Sequence, residues 1–462
     1  MLFDSFEYIF LFIPAVVILF HLTKKYSSIA KAFLILCGIF FYSYWEIKFL
    51  PIILTSIFIN YFFGEFLNKY KNKYLLIIFI STNIGILLFF KYYDFLIFNI
   101  NYLFNSSYEE LNLMFPLAIS FFTFQQITYL VDSYNQNIKK KNSLDYCLFV
   151  IFFPQLIAGP IVRYNNLVSQ FFTLEKKYIE YFNKGFLLIS IGLFKKLILA
   201  DYISLFVNEG YNNSIDLNLI EAWLVTICFS FQFYFDFSAY VDLALGSALL
   251  LGIKLPINFN SPFKAINMID FWKRWHITLS NFLNNYIYFP IIRSFKSFSI
   301  LNSSLTTLFV FLIAGFWHGP SWTFVVFGLI HGLGVVFNQL TKEFNFFNLN
   351  KSISIFITFL YVNFSFIFFR SKNFDQAIDL ISTMTGIKIK DNQNYSLFDN
   401  TNDIQILSLV LLSVTLIWFC KNSNELISSF RKNFKYLFFS VSLFVFSIFF
   451  SINGDVFIYF NF

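Results

Sequence analysis

The chain has 462 residues, 58% of them hydrophobic and only 13% charged, with 73 phenylalanines and a formal net charge of +7. This composition excludes an ordinary soluble globular protein. There is no continuous basic stripe, which excludes a nucleic-acid-binding module; the positive charge lies in short connecting segments, as in a chain that orients itself in a bilayer.

In chain order, the apolar run 8–20 follows Asp4 and Glu7 with no basic residue before it, so it reads as a retained span, with His21 at headgroup level. Lys24, Lys25 and Lys31 come next, then a run to Trp45, a run over 49–66, and a turn carrying Lys69, Lys71 and Lys73. Lysines in alternate turns place the N-terminus outside and the basic turns in the cytoplasm. The run 74–90 exits, residues 99–112 with Glu109 and Glu110 lie outside, and 113–131 returns to a cytoplasmic Lys139-Lys140-Lys141. Residues 94–104 are too short to span alone and are expected to be interfacial or re-entrant. Further spans are expected at 144–158, 185–207, 219–251, 305–317, 321–337, 353–369, 404–420 and 436–452. At about 20 residues per span this is an all-α polytopic transmembrane helical bundle of roughly a dozen membrane segments, with re-entrant or interfacial helices, built as a single domain over 1–462. Cys37, Cys147, Cys228 and Cys420 stand singly in apolar runs and suggest neither a disulfide framework nor a metal site.

Polar groups placed where hydrocarbon is expected single out the candidate site. In 153–164 (FPQLIAGPIVRY) two prolines and a glycine predict a bent or re-entrant element. Asp236 and Tyr240, like Ser238 and Asp242, stand four apart on helix faces, so the two acids are expected to be braced by the nearby phenol and hydroxyl. Over 270–284, Phe271, Trp272, Trp275, Leu279, Phe282 and Leu283 fall on one arc of a wheel, which predicts an amphipathic interfacial helix. His276 lies at the edge of that arc. Lys273 and Arg274 face phosphates, either of lipid headgroups or of a donor such as coenzyme A. His318 stands between the runs 308–317 and 322–337, beside Gly319-Pro320; an ionisable side chain and a helix break at that depth predict a cavity. His331 lies 13 residues further on among small residues and is expected to stay away from any atom His318 touches.

At these residues the chain resembles the membrane-bound O-acyltransferase family, in its bacterial alginate and peptidoglycan O-acetyltransferase branch. The stretches that carry the resemblance are 116–134 (PLAISFFTFQQITYLVDSY), 152–164 (FFPQLIAGPIVRY), 234–242 (YFDFSAYVD), 271–280 (FWKRWHITLS), 315–332 and the terminal 457–462 (FIYFNF). They define a motif-bearing core over 116–338; the first hundred residues and 342–451 match in hydropathy alone. The resemblance implies a multi-helix bundle thinned at its centre, with the family's histidine at His318 and its second, more variable histidine at His276. Asn285-Tyr286 stands where the family has an aspartate-tyrosine pair, and Ile291-Ile292-Arg293-Ser294 where it has a glycine-glycine-asparagine-arginine turn.

Acyl transfer to an alcohol needs a base for the hydroxyl proton and stabilisation of the carbonyl oxygen. His318 is read as the base, His276 as positioning donor or acceptor, and the Trp322 indole as an oxyanion donor; Lys273 and Arg274 meet the donor. No nucleophile elbow is present, so the residues do not require a covalent intermediate. The resemblance implies acetyl-CoA as the acyl donor with no bound cofactor, and an inner-membrane protein. The acceptor it implies is an extracytoplasmic polysaccharide, reached directly or through a periplasmic esterase-like transferase. D-alanyl transfer to an envelope polymer is the alternative within the family. A transporter or flippase is the alternative from another class, against which the absence of paired interrupted helices weighs.

Overall fold

Apolar helix length decides the architecture. In a computed structural model, which describes all residues except 139–141, 158, 173–177, 345–348, 389–402, 432, 453, 455–456 and 462, six helices are long and apolar enough to cross a bilayer. They are Ile47–Tyr70, Lys73–Phe104, Leu219–Leu250, Ile300–His318, Trp322–Phe344 and Lys351–Arg370, joined by the shorter apolar helices Glu7–Thr23, Ser27–Ser43, Ile404–Phe419 and Phe434–Phe449. Among the described residues every regular element is helical, giving the expected all-α multi-pass membrane bundle. The expected cytoplasmic marker Lys139-Lys140-Lys141 lies outside the described residues, as do Ala158 and Phe462.

Several expected segments take another form. Residues 94–104 are not a separate interfacial element: no glycine or proline follows Gly85, and the helix Lys73–Phe104 runs unbroken for 32 residues. The expected span 113–131 starts only at Ile119, behind Ala118 in the left-handed region (φ 62°). Residues 144–158 split into the helices Ser143–Ile151 and Phe153–Leu156 at an extended Phe152, which is the bend expected from the prolines. The run 185–207 carries a π-helical turn, Phe194–Ala200. The amphipathic stretch 270–284 is not one helix. Its apolar arc is buried as expected, but His276 adopts φ 42° and divides it into Met268–Trp272 and Ile277–Leu283.

The described chain forms two compact units, Met1–Ile189 with Tyr240–Pro256, and Ser190–Ala239 with Ile257–Phe462. In the first, buried amides link three helices. Asn60 and Asn83 exchange hydrogen bonds at 3.0 and 2.8 Å, and Gln126 Oε1 accepts from Asn60 Nδ2 at 3.0 Å and from Ser56 Oγ at 2.8 Å. In lipid, such pairing replaces the hydration these groups give up. The turn after Tyr70 is made by Lys71 in the left-handed region and by Asn72, whose side chain accepts from Tyr74 N at 2.8 Å and so caps the next helix. Asn72→Cys, in a background without the native cysteines, is expected to react with an impermeant thiol reagent only after permeabilisation, and Ser106→Cys in intact cells. Labelling with the opposite pattern would invert the assigned orientation.

In the second unit the hairpin of Ile300–His318 and Trp322–Phe344 is closed by glycines. A Cβ added at Gly315 would lie 2.4 Å from Phe324 O and 2.9 Å from Gly328 Cα, and one added at Gly328 would lie 2.3 Å from Phe311 O. Backbones this close fix where His318 ends its helix. Gly328→Ala is therefore expected to destabilise the purified protein by about 1–3 kcal/mol or more, read as a lower melting temperature in detergent. An unchanged melting temperature would mean that the hairpin opens without cost.

Candidate active site

The helix Ile300–His318 stops at His318 because Gly319 is extended (φ −172°, ψ 163°) and Pro320 cannot continue it. Glycine is required at 319, since an added Cβ would lie 2.3 Å from the Phe324 ring. The stop leaves the His318 imidazole 5% exposed among Trp317, Phe327, Phe369 and Tyr459, with ring centroids at 5.0, 5.6, 5.3 and 5.8 Å.

His276 is fully buried, and tertiary structure holds it in its left-handed conformation. Asn258 Oδ1 accepts from Thr278 N and from Thr278 Oγ1, both at 3.0 Å, and lies 3.3 Å from His276 Nδ1. An amide oxygen can only accept, so in this contact Nδ1 carries the hydrogen and Nε2 presents its lone pair. Nε2 is buried and has no protein partner among the described residues. Burial pushes the imidazole down to about 3, so the ring stays neutral around pH 7. Its ring neighbours are Phe237 at 4.9 Å, Trp317 at 6.2 Å and Tyr459 at 6.5 Å.

Trp317 and Tyr459 thus touch both imidazoles, and the structure brings together the two histidines that the sequence singled out 42 residues apart. Tyr459 belongs to the terminal stretch quoted above, but no local signal marked it; its hydroxyl is buried without a partner among the described residues. His331 sits elsewhere, its Nε2 2.7 Å from Ser365 Oγ. That hydroxyl already donates to Val362 O, so His331 Nε2 donates to a neighbouring helix, while its Nδ1 is buried with no partner among the described residues.

Asp236 is not braced by Tyr240. Its Oδ1 lies 3.0 Å from Lys196 Nζ and its Oδ2 accepts from Ile458 N at 2.8 Å, because a buried carboxylate gains more from an ammonium and a backbone N–H than from a phenol. Of the expected donor-contacting residues, Lys273 lines a cavity of about 250 Å³ walled by Trp272, Ser280, Tyr288, Phe311 and Gln339, on the two short helices that His276 joins. Arg274 is paired with Asp270 at 2.8 Å. Trp322 is 51% exposed at the start of its helix, and Trp317 is the tryptophan packed on both histidines. Among the described residues no group of His, Cys, Asp and Glu is arranged to hold a metal ion.

The arrangement, an imidazole at a helix break, a second of fixed tautomer and a phenol between them, can move a proton and orient a hydroxyl in an apolar enclosure. Comparison with known proteins gives the chemistry a class. The family model for membrane-bound O-acyltransferases matches residues 39–374. The chain is 37% identical to a peptidoglycan O-acetyltransferase of Helicobacter pylori over 100% of its own length and 98% of the relative's. It is 29% identical to a probable alginate O-acetylase of Azotobacter vinelandii over 90% of this chain and 83% of the other. To a teichoic acid D-alanyltransferase of Bacillus subtilis it is 28% identical, over 57% of this chain and 70% of the relative.

Proposed function

This chain belongs to the membrane-bound O-acyltransferase family, and from that premise we propose that it moves an acetyl group from a cytoplasmic donor to hydroxyls of an extracytoplasmic polysaccharide, with His318 as the general base. It is a multi-pass membrane enzyme, an O-acyltransferase. The observation that carries the mechanism is the pair of buried imidazoles sharing Trp317 and Tyr459.

In the proposed step His318 takes the proton of the acceptor hydroxyl as its oxygen attacks the acetyl carbonyl. The oxyanion that forms receives a hydrogen bond from the Tyr459 hydroxyl, and the thiolate of the donor leaves and recovers the proton from His318. His276, with Nε2 bare, accepts a hydrogen bond from a second, non-reacting hydroxyl of the acceptor and so aligns it. Acetyl-CoA is the proposed donor. The cavity beside Lys273 would take its phosphate-bearing part, with the ammonium as counter-ion, and Arg274 and Trp322 would lie at the edge of the donor's path. Peptidoglycan is the proposed acceptor ahead of alginate, since the full-length match is to a protein named for peptidoglycan, and it is reached directly or through a periplasmic esterase-like transferase that passes the group to the sugar.

Deleting the gene is expected to remove base-labile acetate from purified glycan; wild type should restore it and His318→Ala should not. Unchanged acetate in every surface glycan, with esterified D-alanine lost instead, would move the chain to the D-alanyl branch. Purified protein that consumes no acetyl-CoA, alone or with membranes, would favour transport without chemistry.

A further inference from the structure

The terminal segment that supplies Tyr459 is held by charge. Lys196 Nζ lies 2.8 Å from Asp201 Oδ1 and 3.0 Å from Asp236 Oδ1, with all three side chains 7% exposed or less. Charged groups buried this deeply are costly in an apolar interior unless opposite charges and hydrogen-bond donors complete them. The Ile458 backbone N–H, 2.8 Å from Asp236 Oδ2, is such a donor. The same segment runs against the second carboxylate, since a Cβ added at Gly454 would lie 2.1 Å from Asp201 Cγ. The next residue after Ile458 is Tyr459, between His318 and His276.

We propose that Lys196, Asp201 and Asp236 form a latch that seats the segment 457–459, making Asp236 a positioning residue that acts through Tyr459. A plain stabilising role accounts poorly for the cluster, because well-packed apolar side chains would hold the bundle at no greater cost. Charge is instead directed onto one backbone amide, one residue from the phenol that touches both imidazoles. The proposal rests on the acyl-transfer reading for what Tyr459 serves, but not for whether the segment is held.

The test uses the full-length protein in detergent. Asp236→Ala removes the acceptor. Ile458→Pro removes the N–H donor and leaves the three charged side chains in place, at the first position of the turn Ile458–Asn461, where proline is tolerated. Asp236→Asn keeps an acceptor for Ile458 N–H and removes one negative charge from the cluster. Amide exchange read by mass spectrometry is expected to speed up about tenfold or more in the peptide covering 457–461 for the alanine and proline variants, with peptides of Ile300–His318 unchanged and the asparagine variant near wild type. Their kcat for acetyl transfer should fall about tenfold or more while KM for acetyl-CoA stays within about twofold. Wild-type exchange in both variants, exchange raised throughout the protein, or faster exchange of the segment with kcat unchanged would each overturn the proposal. The exchange arm needs no turnover, so it decides whether the segment is latched even where the transfer assay fails.

Discussion

His318→Ala is expected to lower kcat for acetyl transfer by about 10²- to 10⁴-fold, the usual contribution of a positioned general base, in a protein that inserts and accumulates like wild type. The helix before it already ends at Gly319, and its fold is set by the Gly315 and Gly328 contacts, so removing the imidazole leaves the hairpin its closure. The cavity left by truncation lowers stability without dictating the stop. His331→Ala is the control, because its ring is tied to Ser365 and packs on Trp272 and Phe327. There the expected loss is in melting temperature, with kcat nearly kept. A folded His318→Ala protein that keeps most of its activity would remove His318 as base and leave His276 Nε2 as the available lone pair.

The parts legible in the sequence are those written in local pattern. Apolar runs marked the spans, Gly319-Pro320 marked the stop at His318, and the arc of Phe271, Trp272, Trp275, Leu279, Phe282 and Leu283 marked the buried face that closes on the site. Contacts between distant residues were not legible. Nothing in 270–284 announces that the chain breaks at His276, because the break is held by Asn258, 18 residues earlier, through Thr278 and the imidazole itself. Tyr459 reads as one more aromatic in an aromatic-rich chain until it is found between two histidines. Nothing in the run 185–207 singles out Lys196, and only tertiary structure shows it buried between Asp201 and Asp236. Asp94 to Phe104 misled for the opposite reason: length alone suggested an interfacial piece where unbroken helix-forming sequence simply continued.

Asn258 offers the second large effect, through proton position rather than contact with substrate. Its Oδ1 holds the hydrogen of His276 on Nδ1, so Asn258→Leu releases the tautomer, uncaps Thr278 N–H and should cost about 10- to 100-fold in kcat, approaching the effect of His276→Ala itself. Asn258→Asp behaves differently. A carboxylate at 3.3 Å still accepts from Nδ1 but stabilises the imidazolium, raising the His276 value from about 3 by about one to three pH units. The sign follows directly: below the raised value the ring is doubly protonated, Nε2 loses its lone pair, and the hydroxyl it should align is no longer accepted. Wild type should therefore show no fall in kcat/KM attributable to His276 above about pH 4, whereas Asn258→Asp should be near wild type at pH 8 and lose activity on an acid limb between about pH 4 and 6. The measurement is kcat/KM for acetyl transfer across that range. Superimposable profiles for the two proteins would mean that His276 does not act through Nε2, and would reduce it to a wall of the cavity.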